Sequence, residues 1–204
     1  MFEHVPSDYA CLKMHTLPPS GGDTLWASGY ELFDRFSVPF QKMLSGLTVT
    51  SSQQTFTSAA KKGGYDLILE NRGTPENHGD HFTATHPVVR TNPVTGRNSI
   101  YALGLHAKGI DGVTQAESDI LMKMFLDTIT QNHDIQVRFK WSKNDVAIWD
   151  NRCVYHRYAH LPSSDAYADI GCSGTADFSD DFPRAGVRVT SIGERPYFDR
   201  TTLS

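Results

Sequence analysis

Three side chains in the last quarter of the chain suit one kind of chemistry. His156 closes the stretch Val146–His156, and Arg184 and Arg188 follow it four residues apart. A neutral imidazole can ligate a metal, and guanidinium forks bind carboxylate or sulfonate groups through two parallel hydrogen bonds. Taken alone, such a trio is more often one core histidine and two surface arginines. What sharpens it is the way the residues are delivered. Val146-Ala147-Ile148-Trp149 reads as a buried strand, Asp150-Asn151-Arg152 as a polar turn, and Cys153-Val154-Tyr155 as a short run ending at His156. Arg184-Ala185-Gly186-Val187-Arg188-Val189-Thr190 reads as another strand carrying both arginines.

The elements that must hold these residues are mostly short strands. Tyr9–Met14 and Asp23–Trp26 read as two strands of a hairpin, joined through Pro18, Pro19, Gly21 and Gly22. Residues 27–46 are helical in pattern: Tyr30, Leu32, Phe33 and Phe36 share a face, and Ser37 caps a second short helix with Pro39 in its first turn and Gly46 closing it. Residues 51–84 are polar and Gly-rich and read as a long mobile segment of the kind used as a lid. Residues 86–105 read as strand, tight turn, strand. Thr114-Gln115-Ala116-Glu117 fits a capping box, and Ile120, Leu121, Met124, Phe125, Thr128 and Ile129 follow at helical spacing. Residues 135–141 alternate as a half-buried strand, and Lys143-Asn144-Asp145 turns the chain into Val146. Residues 157–183 read as an exposed acidic loop, and Val187–Ile192 as the last strand. Many short strands with a few helices imply one domain of jelly-roll type.

Composition narrows the partners. The chain has 204 residues, 21% of them charged, with a net charge of −4 and scattered basic residues. No nucleic-acid or membrane partner is implied. Cys11, Cys153 and Cys172 are odd in number and widely spaced, so no disulfide framework is expected and a reducing, cytoplasmic location is the simplest fit. The first residues do not read as a signal peptide.

Four pieces occur in a telling order: Gly21-Gly22-Asp23-Thr24-Leu25-Trp26, His86-Pro87-Val88-Val89-Arg90-Thr91-Asn92-Pro93, Trp149-Asp150-Asn151-Arg152 with His156, and Arg184 with Arg188. Together they resemble the TauD/TfdA family, the taurine dioxygenase-like oxygenases that depend on Fe(II) and 2-oxoglutarate. The resemblance covers nearly the whole chain. It implies a double-stranded β-helix, a mainly β jelly roll with helices. It implies an oxidation that releases succinate and CO₂ while using O₂ on a small anionic substrate, sulfonate or sulfate favoured. It makes His156 an iron ligand, gives Arg184 and Thr24 the far carboxylate of 2-oxoglutarate, gives Arg188 the anion of the primary substrate, and adds Tyr101 to the substrate site. Association into a homo-oligomer stays open.

The family's other two iron ligands form a His-x-Asp motif. By this resemblance its place falls just before Met1, so the expectation is a chain without the family's N-terminal portion. His78-Gly79-Asp80 repeats the pattern literally but lies in the polar segment and reads as a decoy in a surface loop. His4, Asp8 and His15 could act only as makeshift ligands, and His86, His106, His133 and His160 read as surface or structural histidines. Two rivals remain: a non-catalytic member of the same fold, and a plain acid- or sugar-binding jelly-roll module.

Overall fold

A computed structural model describes residues 1–53, 55–158 and 182–203. In chain order the first half holds β1 (Ser7–Thr16), β2 (Thr24–Ser28), α1 (Gly29–Asp34), α2 (Val38–Leu44), β3 (Thr48–Ser52) and α3 (Thr55–Gly63). Then come β4 (Thr83–Pro87), β5 (Val89–Thr91), β6 (Asn98–Ile100), β7 (Ala107–Asp111) and α4 (Gln115–Gln131). The chain closes with β8 (Gln136–Phe139), β9 (Val146–Asp150), β10 (Val154–Tyr158) and β11 (Ala185–Ile192).

The strands pair antiparallel in four small sheets, ordered β11-β1-β9, β10-β2-β8, β4-β3-β7 and β5-β6. The chain is therefore mainly β with helices, but its described strands do not form the two continuous sheets of a jelly roll. The expected hairpin of β1 and β2 is also absent. β1 pairs with β11 and β9, whereas β2 pairs with β10 and β8. Their Pro- and Gly-rich connection carries the chain from one sheet to another.

Local signals explain most elements. The Ser28 hydroxyl accepts from Glu31 N at 3.2 Å and starts α1. Ser37 stands at the N-cap of α2 without a side-chain cap bond, and α2 ends at Leu44, before Gly46. In α4 both halves of the capping box form between Thr114 and Glu117. Leu121, Phe125 and Ile129 are the buried apolar stripe of α4, while Ile120 is 67% exposed. An i, i+4, i+8 stripe is narrower than the six-residue face expected. Asn144 adopts φ 71° in the turn before β9, a conformation asparagine tolerates.

Leu32, Leu44, Val49, Val89, Ile100 and Phe125 anchor the main core, where α1, α2 and α4 meet the central strands. Each fully buried apolar side chain of this kind contributes about 1.5–3 kcal/mol. The strand before the polar turn is not buried throughout. Trp149 is 7% exposed, but Val146 and Ile148 point outward at 52% and 70%, because side chains alternate along a strand.

The segment expected to be a lid is partly regular. β3 and α3 occupy its start, and β4 its end. Between Gly64 and Phe82 it is irregular, yet it is tied down. Arg72 donates to Glu3 at 2.6 and 3.1 Å and to Gly79 O at 2.9 Å, while Asn77 exchanges two hydrogen bonds with the Val5 backbone. The expected loop over 157–183 lies largely outside the described residues.

Candidate active site

Strand register sets the site. In β10-β2-β8, His156 is opposite Trp26 and Phe139 opposite Thr24. Two-residue alternation then puts Thr24, Trp26, Phe139 and His156 on one face. In β11-β1-β9, Ala10 lies opposite both Trp149 and Thr190, and Leu12 opposite Arg188. Trp149 and Arg188 therefore share a face of that sheet. The two faces meet through aromatic contacts: Trp149 lies 5.5 Å from Trp26 and 4.9 Å from the His156 ring, centroid to centroid. The Arg188 guanidinium sits 5.4 Å from the Trp149 ring centroid, a cation–π distance. Trp149 is thus in contact with both the predicted metal ligand and the predicted anion-binding arginine.

Burial pulls the His156 pKa down from 6.5 to about 4, and the positive charge of Arg188 adds to the effect. At neutral pH the ring is neutral, the form that offers a lone pair.

His156, Arg188 and Tyr101 line one cavity of about 840 Å³. Arg152 lines it too but is engaged elsewhere. Its Nε and Nη2 each donate to Asp150 at 2.8 Å, and Nη2 also reaches the Tyr9 hydroxyl at 2.8 Å. Hydrogen bonding to Asp150 raises the Arg152 pKa above its already high value. Glu194 links Arg152 to Arg90: Oε2 lies 3.4 Å from Arg152 Nη1, and Oε1 accepts from Arg90 Nη2 at 2.6 Å. Arg90 is 0% exposed and stacks over Tyr101 at 4.8 Å, and its buried Nε and Nη1 have no hydrogen-bond partner among the described residues. Burial raises the Tyr101 pKa, so its phenol stays protonated. Sequence reasoning singled out His156, Arg188 and Tyr101 but not the Arg90–Glu194–Arg152 chain beneath them. The Arg152-containing motif was visible, but its partner at position 194 was not.

Thr24 and Arg184 are not among the residues lining this cavity. Thr24 is buried, and its hydroxyl accepts from Trp141 Nε1 at 2.9 Å. Arg184 Nε donates to Gly22 O at 3.1 Å, which holds it against the turn leading into β2. Gly22 has φ 74°, and an added Cβ would lie 3.1 Å from Pro18 and 3.4 Å from Arg184 Cδ. Arg184 and Thr24 are therefore brought to the same end of β2.

The decoy behaves as expected. His78 and Asp80 are exposed, His78 Nδ1 contacts Pro75 O at 2.7 Å, and neither lines the cavity. His4, His15 and His133 are exposed, and Asp8 pairs with the Tyr9 backbone and Ser191. His86 is buried, with Nε2 2.7 Å from Met1 O and 3.0 Å from Glu3 O. His106 contacts Gln53 and Phe2 and lines the cavity, a role not read from the sequence. His160 lies outside the described residues. Among the described residues no three His, Cys, Asp or Glu side chains are grouped to hold a metal ion. His156 suits one position of a facial triad, but the described residues do not make up an iron site.

The fold and cavity define a β-rich protein whose facing sheets bring a neutral histidine and an arginine to one pocket. A model of the taurine catabolism dioxygenase TauD, TfdA family matches residues 1–165. An α-ketoglutarate-dependent dioxygenase, btcD, of Neocamarosporium betae is 45% identical over 97% of this chain and 55% of its own length. An α-ketoglutarate-dependent sulfonate dioxygenase of Saccharomyces cerevisiae is 31% identical over 100% of this chain and 43% of its own. A crystal structure of a taurine dioxygenase from Burkholderia xenovorans superposes with a TM-score of 0.71 at 28% identity, covering 96% of this chain and 56% of that one. The chain belongs to the TauD/TfdA family. It spans about half the length of the curated relatives it matches. No described helix is long and apolar enough to cross a membrane.

Proposed function

We propose that this chain serves a 2-oxoglutarate-dependent oxidation of an organic anion, with sulfonate or sulfate favoured as the acidic group and O₂ as co-substrate. The observation that carries the reading is the shared cavity of His156, Arg188 and Tyr101, with Trp149 packed against each of the first two. Arg152 donates to Asp150, and Arg188 lines the same cavity; by the family resemblance Arg188 is read as the group that meets the substrate anion. Arg184 and Thr24 take the far carboxylate of 2-oxoglutarate. The Thr24 oxygen already accepts the Trp141 indole proton, which orients its own O–H to donate elsewhere. The sheets β11-β1-β9 and β10-β2-β8 are read as the two faces of a jelly roll. Fe(II) is the metal in this reading and His156 one of its ligands. Because the described residues supply no further ligands, no step is assigned through the metal. A ligand-binding member without turnover is the second reading, motivated by that same incomplete ligand set.

The test is succinate release against Fe(II) concentration, with 2-oxoglutarate binding measured separately by calorimetry. The 204-residue chain is expected to bind 2-oxoglutarate and to release negligible succinate, because the described residues group no complete set of metal ligands. Arg184→Ala is expected to weaken 2-oxoglutarate binding. Robust iron-dependent release from the 204-residue chain alone would overturn the reading of its ligands. Absence of 2-oxoglutarate binding, with and without added Fe(II), would overturn the reaction class.

A further inference from the structure

All eight residues of β11 are exposed, on both faces of the strand. One edge of β11 pairs with β1. Among the described residues the other edge has no partner strand. Such an edge presents a row of backbone N–H and C=O groups, which proteins commonly blunt with proline, lysine or a bulge. β11 carries none of these devices. Its sequence, Ala-Gly-Val-Arg-Val-Thr-Ser-Ile, has no proline and no lysine. The irregularities in its pairing, between Ser7 and Ala10 and between Met14 and Thr16, each put the extra residue in β1 and leave β11 regular. On the outer face Val187 and Val189 are 57% and 60% exposed, and Val189 lies opposite Cys11, which lies opposite Ile148 on β9. An apolar row therefore runs from β9 to the open edge. On the other face Arg188, Thr190 and Ile192 line the cavity, so the open edge also borders the site.

This edge is complementary to itself. Directly opposite residues of an antiparallel pair share a face of the sheet. Matching apolar face to apolar face at near-full overlap leaves two registers with two-fold symmetry, centred on Arg188 or on Val189. Centring on Arg188 sets two guanidinium groups directly opposite each other, which is unfavourable. Centring on Val189 sets Val189 against Val189, Val187 against Ser191 and Arg188 against Thr190, with no like charges directly opposed. We infer that the open edge of β11 binds the same edge of a second copy of this chain, with the two-fold axis at Val189. The sheet β9-β1-β11 then continues as β11-β1-β9 of the second copy. The outer apolar row becomes continuous across the axis, and Thr190 of the second copy joins the cavity border beside Arg188. The same edge is used by both copies, so the contact closes as a dimer and does not propagate. Eight residues a side make a small interface, of the weak and reversible kind.

Sedimentation velocity of the full chain across the micromolar range tests this, and a reversible monomer–dimer equilibrium is expected. Val189→Lys changes a side chain that is 60% exposed and opposes two ammonium groups across the axis. It is expected to weaken dimerisation at least about tenfold while leaving the Tm of the dilute chain unchanged. Val146→Lys makes the same charge change on β9, where the side chain is 52% exposed, and is expected to leave the dimer intact. Oxidative cross-linking reads the register. Val189→Cys is expected to give a covalent dimer well above the level of the native cysteines, whereas Val187→Cys, set against Ser191 of the second copy, is expected to stay at that level. A chain that remains monomeric throughout the micromolar range would overturn the inference. A dimer weakened equally by the two lysine variants, or by neither, would overturn the β11 edge as its interface. Cross-linking through Val187→Cys as readily as through Val189→Cys would overturn the register.

Discussion

Removing the Glu194 carboxylate is the sharpest test of the charge chain under the cavity. Glu194 sits just beyond β11 with its side chain 32% exposed, while its partners Arg90 and Arg152 are 0% and 4% exposed. In Glu194→Ala, Arg152 keeps both bonds to Asp150, so it loses little. Arg90 loses its ion pair while two of its nitrogens lack hydrogen-bond partners among the described residues, so its charge is left in the interior over the Tyr101 ring. Breaking a fully buried pair from one side costs about 3–5 kcal/mol. Glu194 is a third exposed, and water entering the gap it leaves lowers the expected loss to about 2–3 kcal/mol. For a chain of this size that lowers Tm by roughly 5–10 °C. Urea unfolding followed by the fluorescence of Trp26, Trp141 and Trp149 measures it. Adding Arg90→Met to Glu194→Ala is expected to recover part of the loss, because no uncompensated charge then remains. A Glu194→Ala loss under ~0.5 kcal/mol, the level of an ordinary surface substitution, would refute the reasoning. So would a double variant whose losses simply add.

Two further outcomes are expected. Burial lowers the His86 pKa from 6.5 to about 4, so the unfolded state takes up protons first as pH falls. The contribution of the neutral ring is intact above about pH 6.5 and is lost toward pH 4, a span worth roughly 3 kcal/mol. His86→Gln should reduce the drop in urea midpoint between pH 7 and pH 5, and an unchanged drop would rule this histidine out as its source. Thr24→Val leaves the buried Trp141 indole N–H without its acceptor, costing about 1–3 kcal/mol, and should weaken 2-oxoglutarate binding as well. Thr24→Ser should preserve both, and calorimetry with chemical unfolding separates the two effects.

Local patterns were readable where neighbouring residues decide the structure. The capping box at Thr114 and Glu117, the Asn144 turn and the run from β9 through Asp150 to His156 all depend on contacts within a few residues. Strand partners were not readable in this way. The alternation in Tyr9–Met14 marks a strand, but nothing within it selects β9 and β11 over its neighbour β2. The same limit applied to the site. His156 and Arg188 stood out through motif order. The Arg90–Glu194 pair closes over 104 residues, and the link from Trp141 to Thr24 over 117. The β3–β4 segment was read from its polar average, whereas four of its apolar side chains, Phe56, Leu67, Ile68 and Phe82, line the cavity.

The clasp of Arg72 and Asn77 on the opening residues also bears on how such a site can diverge. The backbone of Val5 and the carboxylate of Glu3 fix one end of the irregular stretch, and β3 with α3 fixes the other. Between these moorings, residues 65–71 form a short irregular span tied only through backbone atoms: Tyr65 N donates to Ala60 O, Ile68 O accepts from Arg72, and Leu69 O accepts from Gly79 N. Lengthening an already closed loop adds only about 0.6 kcal/mol per doubling. Insertions and substitutions there can redraw the cavity rim while the strands that carry His156 and Arg188 keep their register. Ligand range and fold stability are thereby governed by different parts of the chain, so one can drift without endangering the other.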